Sequence, residues 1–188
     1  MRIIAGKYRG RKLVEARMLK DLRPTTDSNR ENLFNILSSS KTIQNTGFEL
    51  QNCHLLDVFC GTGAVSFEAI SRGAKSATLI DNNPKHLEIA KENSFSLKEN
   101  NLQYFCFDLT GQAIKAGKQH NLIFIDPPYS KNFAAIAFEN LAKSGWIDQS
   151  ALIIIEHSRA ENLPEGKLKL LEQRQYGKTI FSFFIQTK

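Results

Sequence analysis

From residue 53 onward, short apolar runs alternate with longer stretches of mixed polarity. The runs at 54–59, 77–80, 103–107, 121–125 and 151–155 have the length and composition of buried strands. Between them, residues 64–72, 84–98, 110–117 and 133–143 carry the spacing of helices, and Pro84 suits a first helical position after Asn82-Asn83. Strands alternating with helices predict an α/β protein with a mostly parallel sheet covered on both faces. The pattern changes near the end. Leu168-Lys169-Leu170-Leu171 and residues 179–185 flank Tyr176-Gly177-Lys178 with no room for a helix, which predicts an antiparallel hairpin at the sheet edge.

The first forty residues follow a different plan. Residues 2–5 and 10–14 surround Gly6-Lys7-Tyr8-Arg9-Gly10, a hairpin signal. Pro24 stops what precedes it, and Thr25, Thr26 and Asp27 are good caps for a helix whose apolar face is Leu33, Phe34, Ile36 and Leu37. Residues 38–52 are polar and read as a loop. This predicts a small hairpin-and-helix arm over 1–40 and a core over 53–188, within one domain of 188 residues.

Charge sharpens that division. Residues 1–30 hold nine basic and three acidic residues, whereas the other 158 hold sixteen of each sign, so the whole net charge of +6 sits in the arm. Such asymmetry points to a polyanionic partner. A cationic hairpin tip carrying Lys7, Tyr8, Arg9 and Arg11 suits phosphate contact with base stacking. Cys53, Cys60 and Cys106 have no C-x-x-C spacing and read as reduced thiols of a cytoplasmic protein. The four histidines are scattered, so no metal site is expected, and no apolar run approaches the roughly 20 residues of a membrane span.

Four strand ends carry candidate chemistry. Asp57-Val58-Phe59-Cys60-Gly61-Thr62-Gly63 is a glycine turn between a strand and a helix, where backbone approaches a ligand closely; Ser66 stands where G-x-G-x-x-G needs its third glycine, which weakens a pyrophosphate reading. Asp57 is placed to meet a cationic or hydroxyl-bearing ligand. Asp81, ending the next strand, suits a ribose diol. Asp108 suits an adenine amine and Leu109 its ring. Asp126-Pro127-Pro128-Tyr129 stops a strand abruptly, because proline has no N–H for ladder pairing, and presents a carboxylate, a carbonyl and an aromatic ring. Gly177-Lys178-Thr179 is not a phosphate loop, since Glu172 occupies the required glycine position.

This series resembles class I S-adenosylmethionine-dependent methyltransferases of amino groups on bases, a Rossmann-like fold with a seven-stranded, mostly parallel sheet. Arg2-Ile3-Ile4-Ala5-Gly6, Arg9-Gly10-Arg11, Arg23-Pro24-Thr25-Thr26-Asp27, Arg30-Glu31-Asn32-Leu33-Phe34 and Glu68-Ala69-Ile70-Ser71-Arg72-Gly73-Ala74 are similar to the RsmD family of bacterial 16S rRNA (guanine-N2)-methyltransferases. The resemblance implies S-adenosyl-L-methionine held by Asp57, Phe59, Gly61, Gly63, Asp81, Asn82, Asp108 and Leu109. It implies catalysis by Asp126, Pro127, Pro128 and Tyr129. It implies 16S rRNA, free or in an assembling small subunit, contacted by Arg2, Lys7, Arg9, Arg11, Arg23 and Arg30, and a cytoplasmic monomer. Cys60, Asp81 and Ser28 depart from the residues the family commonly has there. Two other readings fit the same motifs: a DNA or tRNA amino-methyltransferase, and a non-catalytic RNA-binding assembly factor.

Overall fold

A computed structural model describes residues 1–14, 26–111, 114–128, 132–159, 163–164 and 166–187. Its strands are β1 (His54–Val58), β2 (Ser76–Asp81), β3 (Leu102–Cys106), β4 (His120–Ile125), β5 (Ile147–His157), β6 (Leu168–Tyr176) and β7 (Thr179–Gln186). They run in the order β3-β2-β1-β4-β5-β7-β6. The chain divides into two compact units, Met1–Phe107 and Asp108–Lys188. Among the described residues, no helix is long and apolar enough to cross a membrane.

In the first unit, β1 pairs parallel with β2, and β2 with β3. β1 and β2 are buried along nearly their whole length, so both read as continuous apolar runs and not as alternating ones. Helix α1 (Asp27–Ser39) is capped by Thr26, whose hydroxyl accepts from Asn29 N–H at 3.1 Å. The expected loop over 38–52 begins instead with a single helical turn, α2 (Lys41–Gln44), capped by Ser40 and anchored by the buried Ile43. Helix α3 (Ala64–Ser71) buries all eight residues, including Ser66, Glu68 and Ser71, so its polar groups must be satisfied inside the protein. Helix α4 (Pro84–Leu97) has Pro84 in its first turn, as expected, and ends at Lys98 in the left-handed region.

The N-terminal hairpin forms as predicted, closed by the Arg2–Lys12 bridge and by Ile3 N–H to Arg11 O and Gly10 N–H to Ile3 O. It packs Ile3 and Leu13 against Ala64, Phe67 and Leu97. Its backbone is held by the far end of α3. Glu68 accepts from Ile4 N–H at 2.8 Å and Ala5 N–H at 3.0 Å. Lys7 N–H donates to Ser71 O, Tyr8 N–H to Ser71 Oγ at 2.9 Å, and that hydroxyl donates to Ala5 O at 2.5 Å. Gly6, at φ +81°, is required by this docking: a Cβ there would lie 1.8 Å from Ser71 O.

In the second unit, β4 pairs parallel with β5, β5 antiparallel with β7, and β7 antiparallel with β6. The C-terminal hairpin is therefore present, with longer strands than the apolar runs mark. The helix expected over 110–117 does not form at the described residues, which turn at 109–110 and then run irregularly. The backbone there finds partners outside a helix: Ala116 N–H donates to Ser144 O, and Ile114 O accepts the Trp146 indole N–H at 2.7 Å. Helix α5 (Phe133–Lys143) follows the strand-ending prolines after an interval and starts from Asn132 at φ +54°.

Candidate active site

In the first unit the site is built on the turn between β1 and α3. Phe59, Gly61 and Gly63 have φ of +60°, +53° and +79°, three left-handed residues in five. Such backbone in a bulky aromatic costs of order 1–3 kcal/mol and persists only when its surroundings impose it. The surroundings do: Cys60 N–H donates to Ile80 O, Gly63 N–H to Cys60 O, and Gly61 N–H to Asp81 Oδ2 at 2.9 Å. Gly63 serves packing, since a Cβ there would lie 2.7 Å from Leu79 Cδ2 and 3.0 Å from Phe67 Cε2.

Asp57 is 2% exposed and faces inward. Its Oδ2 accepts Ser66 N–H at 3.2 Å and Ser66 Oγ–H at 2.6 Å, so it caps the first turn of α3. Burial pushes its carboxyl up to about 7, against the pull of both Ser66 hydrogen bonds and with a small push from Asp81. Sequence places Asp57 to meet a ligand; in the structure its Oδ2 is engaged by Ser66 and the carboxyl braces the glycine turn. Ser66, read from sequence only as an absent glycine, is its partner.

Asp81 ends β2 beside this turn. Besides Gly61, it accepts Asn83 N–H at 2.9 Å and contacts His86 Nδ1 at 3.0 Å, both through Oδ1. Asn83 Nδ2 lies 3.2 Å from His86 Nε2, which assigns the imidazole proton to Nδ1 and makes His86 a donor to Asp81. A carboxylate offers about four acceptor positions, so one remains on Oδ2 for a hydroxyl. Asp81 thus fits one ribose hydroxyl in this arrangement, where the sequence suggested two. Asn82 is exposed next to it. Asn83 and His86 were not among the residues singled out from sequence; the cap position before Pro84 was the available signal.

In the second unit, Asp108 is exposed in a tight turn, its Oδ1 accepting Thr110 N–H at 2.8 Å and Thr110 Oγ–H at 2.7 Å. Leu109 is 2% exposed and packed in the core, with its carbonyl held by Asn140 Nδ2 at 2.8 Å; its expected place over a ring is corrected accordingly. Asp126 is the first residue past β4 and is half-buried; Pro127 is buried and Pro128 exposed. The prolines thus present a carboxylate and a carbonyl at the carboxyl end of a buried parallel strand. Tyr129 lies outside the described residues.

The basic residues separate into three kinds. Arg2 and Arg9 are exposed on the hairpin. Lys7 and Arg11 are exposed but also hold the hairpin down: Lys7 Nζ pairs with Glu99 Oε2 at 2.7 Å, and Arg11 Nη2 donates to Ser96 O at 2.9 Å. Arg30 is a correction. It is fully buried, its Nη2 donating to Arg2 O and to Asp27 Oδ1 at 3.0 Å, with Nε 3.7 Å from Glu68 Oε2. A guanidinium so enclosed braces the arm and has no surface to offer a phosphate. Arg23 lies outside the described residues.

The family model described as "Conserved hypothetical protein 95" matches residues 1–185. The chain is 34% identical to the ribosomal RNA small subunit methyltransferase D of Escherichia coli K12 over 87% of its length and 78% of the relative's. It is 30% identical to the protein of that name from Buchnera aphidicola of Baizongia pistaciae, covering 98% and 91%. A solved Escherichia coli structure described as a putative methyltransferase superposes with a TM-score of 0.79 at 31% identity, covering 100% of this chain and 98% of that one. The chain belongs to the ribosomal RNA small subunit methyltransferase D family, with a class I methyltransferase fold.

Proposed function

We propose that this chain methylates the exocyclic N2 amine of a guanine in 16S rRNA, using S-adenosyl-L-methionine. The observation that carries the reading is the half-buried Asp126 carboxylate next to the Pro127 carbonyl at the end of β4, in a chain of this family. A base amine is a poor nucleophile because its lone pair is delocalised into the ring. Asp126 and the Pro127 carbonyl each accept one of its N–H groups, which favours pyramidalisation and aims the lone pair. S-adenosyl-L-methionine supplies a methyl already activated on sulfonium, so orientation is the protein's main task. In the first unit, the residues that would hold it are the 59–63 turn with Asp81 and Asn82. The product's proton leaves to Asp126 or to water.

The base must first leave its stack, at a cost of a few kcal/mol. The exposed cations of the docked hairpin, Arg2 and Arg9 foremost, contact phosphates. The test is mass spectrometry of nucleosides from a strain lacking the gene. N2-methylguanosine should fall in 16S rRNA and return when purified protein and S-adenosyl-L-methionine are added; Asp126→Ala protein should not restore it. A change confined to a tRNA or DNA nucleoside, or to N6-methyladenosine, would overturn the reading.

A further inference from the structure

A second carboxylate stands beside the Asp-Pro-Pro turn within the second unit. The pairing of β4 with β5 runs Leu122–Leu152, Ile123–Ile153, Phe124–Ile154 and Ile125–Ile155. One step further brings Asp126 level with Glu156. Parallel neighbours lie about 4.8 Å apart and side chains alternate between faces, so these two acids share one face at adjacent strand ends. On its other flank Glu156 pairs with the buried Phe181 of β7.

Glu156 is 3% exposed and follows four buried aliphatic residues. Packing alone calls for another aliphatic side chain there. Among the described residues its Oε2 is buried without a hydrogen-bond partner. Burial pushes its carboxyl up to about 7, with the Thr179 hydroxyl pulling it back. An orphaned buried acceptor lowers stability, and it persists where a ligand supplies the missing donor.

Resting on the guanine reading above, we infer that Glu156 is the specificity-determining residue, its Oε2 accepting the N1–H of the target guanine. The bases differ at this edge. Guanine places the N1–H donor next to its amine, whereas adenine and cytosine place a bare ring nitrogen there. Asp126 and the Pro127 carbonyl take the two amine hydrogens, which every amino base has and which therefore do not discriminate. A third acceptor one strand over takes the hydrogen that guanine alone of these three presents. Against adenine or cytosine the ionised carboxylate would face a lone pair.

The experiment compares two RNAs that differ at the mapped target: guanine, and 2-aminopurine, which keeps the C2 amine but has no N1 hydrogen. Wild-type protein should prefer guanine in kcat/KM by about 10–100-fold, the discrimination one such hydrogen bond gives. Glu156→Gln can turn an N–H toward N1, so the preference should shrink at least about tenfold, through lost guanine turnover and gained 2-aminopurine turnover. Glu156→Leu, which matches its neighbours on β5, guards against a folding defect and should also lose the preference. Calorimetric S-adenosyl-L-methionine affinity should match wild type in both variants. A preference unchanged in both variants overturns the assignment of Glu156 alone. Wild-type protein that methylates neither RNA overturns the guanine reading and this inference with it.

Discussion

Replacing Glu68 with alanine should undo the docking of the N-terminal arm. Glu68 is fully buried and accepts from Ile4 N–H, Ala5 N–H and Arg72 Nε within 3.0 Å, with the buried Arg30 Nε at 3.7 Å. Two responses are open to the variant. If the arm stays docked, Arg30 loses a buried counter-charge and two backbone donors lose their acceptor, a cost of about 3–5 kcal/mol. If the arm lifts away, those groups reach water but Ile3 and Leu13 are exposed, together about 3–6 kcal/mol. Either route lowers the melting temperature by roughly 6–24 °C for a chain of this size. Hydrogen exchange separates the routes, because lifting removes protection at Ile3, Gly10 and Leu13 while the amides of β1 and β2 stay protected. Glu68→Gln keeps the volume and one acceptor oxygen, so its loss should be nearer 1–3 kcal/mol. A Glu68→Ala protein that melts within a degree of wild type, with Ile4 and Ala5 still protected, would refute the clamp.

Asp126→Ala should lower radiolabelled methyl transfer by about 10²–10⁴-fold while leaving melting temperature and S-adenosyl-L-methionine affinity unchanged. The raised carboxyls of Asp57 and Glu156, each pushed to about 7, mean that between roughly pH 4 and 7 the native state holds protons the unfolded chain has released. Stability should therefore fall as pH rises through that window and level off above it. Urea titrations at pH 5 and pH 8 check the sign, and Glu156→Gln should flatten part of the slope. Gly6 and Gly10 share φ +81°, but a Cβ at Gly10 meets nothing within 4 Å. Gly10→Ala should thus cost only about 1–2 kcal/mol of backbone strain, measured by thermal melts, and Gly6→Ala distinctly more. Arg9→Ala should reduce the salt slope of RNA affinity by about one, whereas Arg30→Ala should lower the melting temperature.

The buried parallel strands were legible where residues that cannot extend them bound the apolar run, Pro127 and the Asn82-Asn83-Pro84 turn being the clearest, whereas β5, β6 and β7 outrun theirs. The stretch expected as a helix over 110–117 was not legible, because it is bracketed by Gly111 and Gly117 and its backbone partners, Ser144 and Trp146, lie in a distant segment. Arg30 shows the limit of reading charge: a cation in a basic arm looks like a phosphate ligand until its buried acidic neighbour, Glu68, is placed in space. Ser66 and Glu156 show the converse. In sequence Ser66 is only a missing glycine and Glu156 an acid after an aliphatic run, and only folding brings each to the group that gives it a role, Asp57 for one and the neighbourhood of Asp126 for the other.

The docked hairpin also has a consequence for the order of folding. The contacts that fasten it to α3 and α4 join residues far apart in the chain: Ile4 to Glu68 is a separation of 64 residues, Val14 to Asn93 of 79, and Lys7 to Glu99 of 92. Closures of that span are intrinsically slow. The hairpin precedes α3 and α4 in the chain, so it has nowhere to dock until they have formed. Until then Lys7 and Arg11 lack the Glu99 and Ser96 partners that hold them down. Glu68, Ser71 and Glu99 are the groups whose arrival fixes the hairpin in place.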